Sequence, residues 1–583
     1  MPRSFPDAVT PPGIRGGGRS RSAQTRLLAL AALLLGLLGP ASPAPSQEVS
    51  LEALPVLSGP TEDRFRLAQL LGRAPLDGFL IRTPSLLLEQ ILERRWSSAE
   101  ASDSTVEETR AARNGPSLFQ VTFLAPELRS AWNSDLPFSF NDGPLWAGRG
   151  WNGLLTLGAR IRGGPVTLVL APQLLHQENA DFQIVPYPLD QTPPRSFFAH
   201  PFHPPPESMD HPLRFGDEAF SRLLPGQSSL TIRAGPVGAG VSTENAWWGP
   251  GIRNGILLSS QAPGVPRIFL RTDRGLPTPL GNVEAVWFLG RLDESDYFDD
   301  DPDNDTRTLN GVAVTLRTAF DEGLTLGAAR TVFAPLKPGD TGLGAGLDAF
   351  RSVGRPNRDG GPEVDPGPDQ ILSLFARWVF PPHGFEVYGE WARFEEAGSL
   401  TDFLEFPQHS QGYTVGFQWV GRPDPRGHLR VQGEITNLEP SGTWRHKGAF
   451  STYASRAVVQ GYTHRGQVIG AGIGPGASSQ WAATDYIRDG WRGGAFLGRI
   501  RWNAAAHLSG VVPYWGRSDV TLFWGFRGGV DYGGWHLDGE LSHGIRMNYL
   551  FQTFEPDPVS GKAEGVDVAN TSVTLTLSKQ LWR

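Results

Sequence analysis

Apolar and polar residues alternate with a period of two along most of this chain. In Phe385–Arg393, Phe385, Val387 and Trp391 alternate with Glu386, Tyr388 and Glu390. In Leu429–Thr436, Leu429, Val431 and Ile435 alternate with Arg430, Gln432, Glu434 and Thr436. In Trp535–Ser542, Trp535, Leu537 and Leu541 alternate with His536, Asp538, Glu540 and Ser542. Val520, Leu522, Trp524 and Phe526 form another apolar face, and Phe496, Ile500 and Trp502 oppose Arg499 and Arg501. The last segment, Thr571–Trp582, sets Val573, Leu575, Leu577 and Leu581 against Thr574, Thr576, Ser578 and Gln580. This period is that of β-strands, whose successive side chains point to opposite faces. A soluble sandwich would bury the apolar face and wet the other. A transmembrane barrel turns the apolar face to lipid and the polar face to a wet lumen. The repeated charges opposite the aromatic residues suit a lumen of mixed charge, and bulk water would also accept them.

The strand pattern begins near Leu118 and is punctuated by Gly, Pro, Asn and Asp. At ~25 residues per strand with its connection, the remaining length predicts about 18 strands. Pro186–Pro225, Asp293–Arg307 and Pro335–Asp369 read as extracellular loops, longer than a compact soluble domain usually carries. Gln47 to Arg113 has a helical pattern instead. Thr61 is placed to cap a helix through Leu71, with Glu62 and Asp63 in its first turn and Gly72 at its end. Thr83-Pro84 opens a second helix, in which Leu86, Leu87, Ile91 and Trp96 recur near helical spacing. Ser102 to Asn114 reads as a linker or a third, weaker helix. Such a segment is too small to bury a good core alone and is expected to pack on something larger.

At the front, Arg15, Arg19, Arg21 and Arg26 precede the apolar run Leu27–Leu38, which Gly39-Pro40 ends. This is the pattern of a secretory signal, with cleavage expected after Ser46 and Ala44 at the minus-three position. A retained helical anchor is the alternative, and the run is short for it. The expected organisation is a signal peptide over 1–46, a helical periplasmic or plug segment over 47–115, and an outer-membrane β-barrel over 116–583. Composition agrees. Hydrophobic residues make up 39% and mean hydropathy is -0.25, which excludes a helical membrane protein. The 18 Trp, 32 Phe and 10 Tyr are many for so polar a chain, and either membrane-interface girdles or a large β core would use them. Without cysteine there is no disulfide, thiolate catalysis or Cys-ligated metal. The net charge of -8 comes with no basic stripe for nucleic acid.

Three stretches are more distinctive than the periodicity: Glu244-Asn245-Ala246-Trp247-Trp248-Gly249-Pro250-Gly251 with Asn254-Gly255-Ile256-Leu257-Leu258-Ser259; Gly461-Tyr462-Thr463-His464-Arg465-Gly466 running into Gly474-Pro475-Gly476; and the helical segment before the first strand. Together they resemble the capsule assembly Wzi family of Gram-negative outer-membrane proteins, from about Val56 to the end. The resemblance implies a barrel of about 18 strands with a small periplasmic helical bundle. It also implies a lectin-like, non-enzymatic role, anchoring capsular or other extracellular polysaccharide to the cell surface. The implied partners are that polysaccharide, outer-membrane lipid and lipopolysaccharide, and the barrel-insertion machinery. Two features depart from the pattern. Lys579 interrupts the outward face of the last strand, and Trp582, followed by Arg583, lies in its polar phase.

The Trp247-Trp248 pair could offer flat faces to sugar rings, with Glu244, Asn245 and Arg253 bonding hydroxyls. The same pair could instead fix a strand end or pack on the helical plug. Tyr462, His464 and Arg465 could serve an acidic polymer, or order an inward-folded loop. His409 reads as a satisfied lumen histidine. The acidic run Asp293–Asp305 contains Asp301-x-Asp303-x-Asp305, which begins like an EF-hand loop. It fails at Thr306, where glycine belongs, and at Val312, where the bidentate Glu belongs. A solvated acidic loop is the simpler reading, and no metal or other cofactor is expected. Signatures of serine hydrolases, zinc proteases and phosphate-binding loops are absent. Ser542 and His543 are adjacent and therefore point to opposite faces of one strand. A diffusion porin is the alternative to the anchor, supported by the charged strand faces, and a barrel-embedded hydrolase is a distant third.

Overall fold

The structure is a computed structural model. It describes residues 51–52, 54–76, 79–89, 119–182, 209–298, 301–351, 368–395, 399–424, 426–447, 451–455, 458–507, 517–551 and 566–579. Eighteen antiparallel strands close into one barrel among these residues. They are β1 (Gln120–Asn133), β2 (Gly150–Gly163), β3 (Val166–Leu170 continued by Gln173–Gln177), β4 (Phe220–Leu224 continued by Ser229–Ala234), β5 (Val237–Ser242), and β6 (Arg267–Thr272 with Leu276–Thr278). Next come β7 (Gly281–Asp293), β8 (Thr306–Thr318), β9 (Leu324–Pro335), β10 (Asp369–Phe380), β11 (Phe385–Arg393) and β12 (Gln411–Asp424). The circle is completed by β13 (Gly427–Asn437), β14 (Ser478–Arg488), β15 (Trp491–Arg501), β16 (Val520–Tyr532), β17 (Trp535–Met547) and β18 (Val568–Lys579). Closure is made by β18 against β1, from Ser572 opposite Asn133 to Leu577 opposite Leu128. The ladder of β1 on β2 shifts register between Leu124 and Glu127, a bulge that accommodates Pro126.

One end of the barrel is closed by tight turns, such as those between β2 and β3, β10 and β11, and β16 and β17. The other end carries the long connections. In outer-membrane barrels the short turns are periplasmic and the long loops extracellular. The loop expected over Pro186–Pro225 ends earlier, because β4 already begins at Phe220. Two long connections were not singled out by composition: 243–266 and 438–477. The first, and the described residues 458–477 of the second, fold into the lumen.

The burial pattern is inverted relative to a soluble protein. Leu537, Leu541, Leu575, Phe526 and Val415 are exposed on the outside, while Arg377, Glu386, Arg430, Gln432, Glu434 and Asp485 are buried inside. Exposed apolar side chains are stable only against hydrocarbon, so the outer flank is a lipid face. We expect Leu541→Arg, at the middle of β17, to destabilise the folded barrel by about 2–4 kcal/mol in lipid vesicles. Urea unfolding in vesicles measures this, and wild-type stability would contradict a lipid-facing Leu541.

The alternation is not read the same way everywhere. Phe496 and Ile500 of β15 are buried and point inward, while Leu497 between them is exposed. Phe269, Phe288, Phe333, Ile371, Phe375 and Phe523 also face in, and pack against the inward loops. The lumen therefore has a dry core near its extracellular half, and apolar residues serve both flanks of the wall there. Lys579 lies at the periplasmic end of β18 with its Nζ 5.4 Å from the centre of the Trp535 ring. A lysine can occupy an outward position there because its stem stays in the apolar layer while its ammonium reaches the interface.

Helix α1 (Pro60–Leu70) lies inside the barrel at the short-turn end. It begins two residues earlier than a Thr61 cap predicts: Gly59 is the N-cap and Pro60 occupies the first helical position. Gly72 follows its end with φ +67, as expected of a helix terminator. A second helical turn starts at Pro84. The expected elements over Ser102–Asn114 and 1–46 lie outside the described residues, as do Trp582 and Arg583.

Candidate functional site

The lumen contents are tied to the wall by buried charge. Glu386 of β11 is completely buried and accepts from Arg66 Nε of α1 at 2.7 Å, from Arg377 Nη2 of β10 at 2.5 Å and from Gln418 Nε2 of β12 at 2.7 Å. Asp63 of α1 accepts from Arg430 at 2.7 Å and from Arg492 at 2.6 Å. Burial alone would raise the Asp63 pKa, but Arg430 and Arg492 outweigh it and hold the carboxyl well below the usual range. Arg430 and Arg527 in turn share Asp485, at 2.9 and 2.6 Å. These pairs hold α1 across the lumen.

The Trp247-Trp248 stretch docks the N-terminal segment. Trp247 and Trp248 pair antiparallel with Arg82 and Ile81. Their side chains are 0% and 2% exposed, so neither offers a ring face to solvent. Trp248 lies 5.4 Å from Phe288, and Arg82 stacks 5.0 Å from Trp247. Glu244 accepts from Ser85 N at 2.8 Å and Ser85 Oγ at 3.0 Å, at the start of the second helical turn. Asn245 spends its side chain on Gln227 and on the Ala262 carbonyl. Gly249 has φ +94, and a Cβ there would sit 2.8 Å from Glu390 Oε2, so this position requires glycine. Beyond it, Glu434 of β13 accepts from the backbone N–H of Ile252 at 2.6 Å and Asn254 at 2.9 Å, and from Tyr388 at 2.9 Å. The contacts of the pair are those of packing on the N-terminal segment.

The second motif is a hairpin inside the lumen. Thr463–His464 pairs with Gln467–Val468, and Arg465 and Gly466 turn with φ +51 and +79. Two positive φ values make the turn that matches strand twist. Tyr462 is fully buried, stacks on Tyr453 and donates to Thr331 at 2.9 Å. His464 Nδ1 accepts from Asp293 N at 3.1 Å, so its ring is neutral. Burial pushes its pKa down to about 3, and Asp293 opposes this only in part. Its folded pKa lies below the unfolded value of about 6.5. Its stabilising effect is thus present above about pH 6.5 and is lost as pH falls toward 3. We expect hydrogen exchange in 458–470 to speed up over that window, and His464→Gln to flatten the response; unchanged exchange would contradict the buried neutral imidazole. Arg465 is the half-buried member and reaches Asp293 at 3.4 Å. His409 is buried between Thr443 and Glu395. Among the described residues no cluster of three or more acidic, His or Cys side chains is placed to hold a metal ion.

Arg253 differs from the other sequence candidates. Its guanidinium lies 5.0 Å from the centres of both the Phe140 and Trp481 rings, and has no hydrogen bond or ion pair among the described residues. It lines a lumen cavity of about 170 Å³ between the start of α1 and the wall from β13 to β18. Glu540 faces the same cavity and is likewise without a hydrogen bond among the described residues. Burial lowers the Arg253 pKa, while Glu540 and Glu434 act in the opposite sense. Phe138, Ser542 and Ser572 are shared with a second cavity of about 30 Å³ that reaches Trp502 and Arg546 near the extracellular end. An unpaired cation and carboxylate beside aromatic faces can bind a polar, hydroxylated group. Glu540, Glu386 and Glu434 are legible in the sequence only as strand-face residues, and Trp481 is not marked by it at all; nothing local shows which inward charge holds the plug and which stays free. Ser542 faces this cavity, whereas His543 packs outside on Trp524, so the two do not form a catalytic pair.

The class defined by this architecture is an outer-membrane β-barrel of eighteen strands with a chain-filled lumen. Among solved structures it is similar to Wzi of Escherichia coli, described as an outer-membrane protein involved in group 1 capsule assembly and a carbohydrate-binding β-barrel. The two are 11% identical with a TM-score of 0.54, over 89% of this chain and 98% of Wzi. OccK5 of Pseudomonas aeruginosa is 9% identical with a TM-score of 0.36, over 80% of this chain and 98% of its own. OccAB2 of Acinetobacter baumannii is 10% identical with a TM-score of 0.37, over 78% and 97%. No protein-family model and no curated protein sequence matches the chain. At such identity the likeness is one of fold.

Proposed function

We propose that this barrel is a non-enzymatic anchor that holds capsular or other extracellular polysaccharide at the cell surface, exported by its segment 1–46. The observation that carries the reading is the filled lumen. Helix α1 and the loops 243–266 and 458–477 are fixed across it by buried ion pairs, a clamped backbone and two fully buried tryptophans. A wall packed in this way suits holding a polymer outside better than passing solutes. The fold it shares with a carbohydrate-binding barrel supports the same reading. Arg465 at the extracellular end of the hairpin and Arg253 in the cavity are the candidate contacts left available; the other sequence candidates support the plug. Insertion machinery and lipopolysaccharide are the partners such a barrel needs.

A deletion strain should shed polysaccharide into the medium while still making it. Polymer that stays cell-bound in that strain would overturn the anchor. The polar cavity along the β13–β18 wall favours the second reading, a diffusion porin. Planar-bilayer recordings separate the two: large steady openings by the wild-type protein mark a porin, and a closed baseline supports the anchor.

A further inference from the structure

The wall is interrupted by a feature on its lipid side that the anchor reading does not use. After β9 the chain turns back over the outer flank as a short 3-10 helix, Leu343–Phe350. Three polar side chains on the lipid face hold its backbone. Trp287 Nε1 donates to the Gly346 carbonyl at 2.8 Å, and Asn310 Nδ2 to the same carbonyl at 3.2 Å. Ala349 N donates to Asn310 Oδ1 at 2.7 Å, and Arg330 donates to the Arg351 carbonyl at 2.7 Å. Asn310 lies in the outward phase of β8, with Val314 exposed on the same flank and Leu309 and Ala313 facing in, yet it is 0% exposed. Polar groups bare to hydrocarbon cost several kcal/mol each. Here they and the helix backbone satisfy one another. Gly346 and the buried Ala349 let the helix approach the wall, and Leu343, Leu347 and Phe350 point away from it, 66%, 55% and 61% exposed.

Beside this flap β5 is only six residues long, Val237–Ser242, so among the described residues Phe220–Leu224, the upper half of β4, has no strand on its second edge. The result is a groove of about 590 Å³. Its floor is the outward row Leu170, Leu230, Val241, Ile268 and Leu289, and its far side is the flap residue Leu343. This volume is in the range of about 300–1,000 Å³ typical of ligand sites. Asn310 lies four residues below the extracellular end of β8, roughly 13 Å along the strand, so the flap reaches into the outer-leaflet layer.

We propose that this groove is a lipid site, in which the flap and the short-strand wall hold one acyl chain of an outer-membrane lipid in a fixed position. The occupant follows from where the groove opens. Its mouth is in the membrane-facing flank, and most of its lining is aliphatic, with Arg291, Thr308 and Asp340 also bordering it; a mainly apolar cavity retains water poorly. A plain strand face offers lipid only a shallow, exchanging contact; the flap adds a second wall.

The test reconstitutes the full-length protein in vesicles with a phosphatidylethanolamine that carries a photoactivatable diazirine on its acyl chain, and maps the cross-linked residues by mass spectrometry. We expect labelling of the groove and flap several-fold above that of the opposite flank around Ile435 of β13 and Leu497 of β15. Ile268→Trp, which fills the floor, should remove the excess while leaving labelling of that opposite flank unchanged, which also reports a folded barrel. Labelling spread evenly around the circumference overturns the proposal. So does a groove protected from lipid by a second copy of the chain, seen as a cross-linked dimer of an Ile268→Cys variant; the wild-type chain has no cysteine, so that cross-link is unambiguous. Neither outcome bears on polysaccharide retention, so failure here leaves the anchor reading to its own experiment.

Discussion

Glu386→Ala should lower the unfolding free energy of the barrel by about 3–5 kcal/mol, because it strands two buried cations rather than simply deleting one pair. Arg66 and Arg377 have side chains 5% and 3% exposed, and both direct their guanidinium groups at this one carboxylate. Phe79 stacks on both, 5.4 Å from Arg66 and 4.6 Å from Arg377, so water cannot take the place of the anion without opening the packing. The loss should appear first as release of α1, since Arg66 is one of its attachments to the wall. Urea unfolding in vesicles gives the magnitude, and proteolysis near 60–72 reports the release. Glu386→Gln keeps the shape and the bond from Gln418 while removing the charge, and should fall between the two. A change under about 1 kcal/mol in the alanine variant would mean that the cluster is hydrated and that α1 is held elsewhere.

Trp248→Ala should cost about 3–5 kcal/mol, the range for deleting a large buried aromatic side chain that its surroundings cannot replace. Trp248 is 2% exposed, packs against Phe288 of β7 and lies two residues from the Pro250 bend that Glu434 clamps. Its loss removes the link between the Leu80–Arg82 segment and the wall. The same variant should convert a closed bilayer baseline into intermittent conductance, because the inward loop then moves. Unaltered stability with reduced polysaccharide retention would instead point to a ligand-contacting Trp248, and would reverse the role assigned to it by its burial.

The two variants also mark the boundary of what could be read in advance. The outward rows Leu537, Leu541 and Leu575, and the inward rows Arg430, Gln432, Glu434 and His536, Asp538, Glu540, follow the alternation directly. So does the opposition of Ser542 and His543. Phe496 and Ile500 follow the alternation too, yet their destination differs. They meet the loops inside, and the lipid on that strand is met by Leu497. The candidate residues divide in a similar way. Glu244, Asn245, Trp247, Trp248, Tyr462 and His464 are all buried in contacts that assemble the plug, whereas Arg253 and Arg465 keep accessible polar ends.

The two-residue period, the strand count and the helical front are properties of neighbouring residues, and the amino-acid order alone carries them. Which flank of a strand is dry, and whether a tryptophan is a platform or a keystone, depends on chain folded in from hundreds of positions away: Glu386 binds Arg66, and Glu434 holds the backbone at 252–254. A carboxylate on an inward phase has the same local pattern whether it anchors a plug or faces water. Closure of the barrel and the return of its loops through the lumen decide between them, by setting which charges find partners and which are left without.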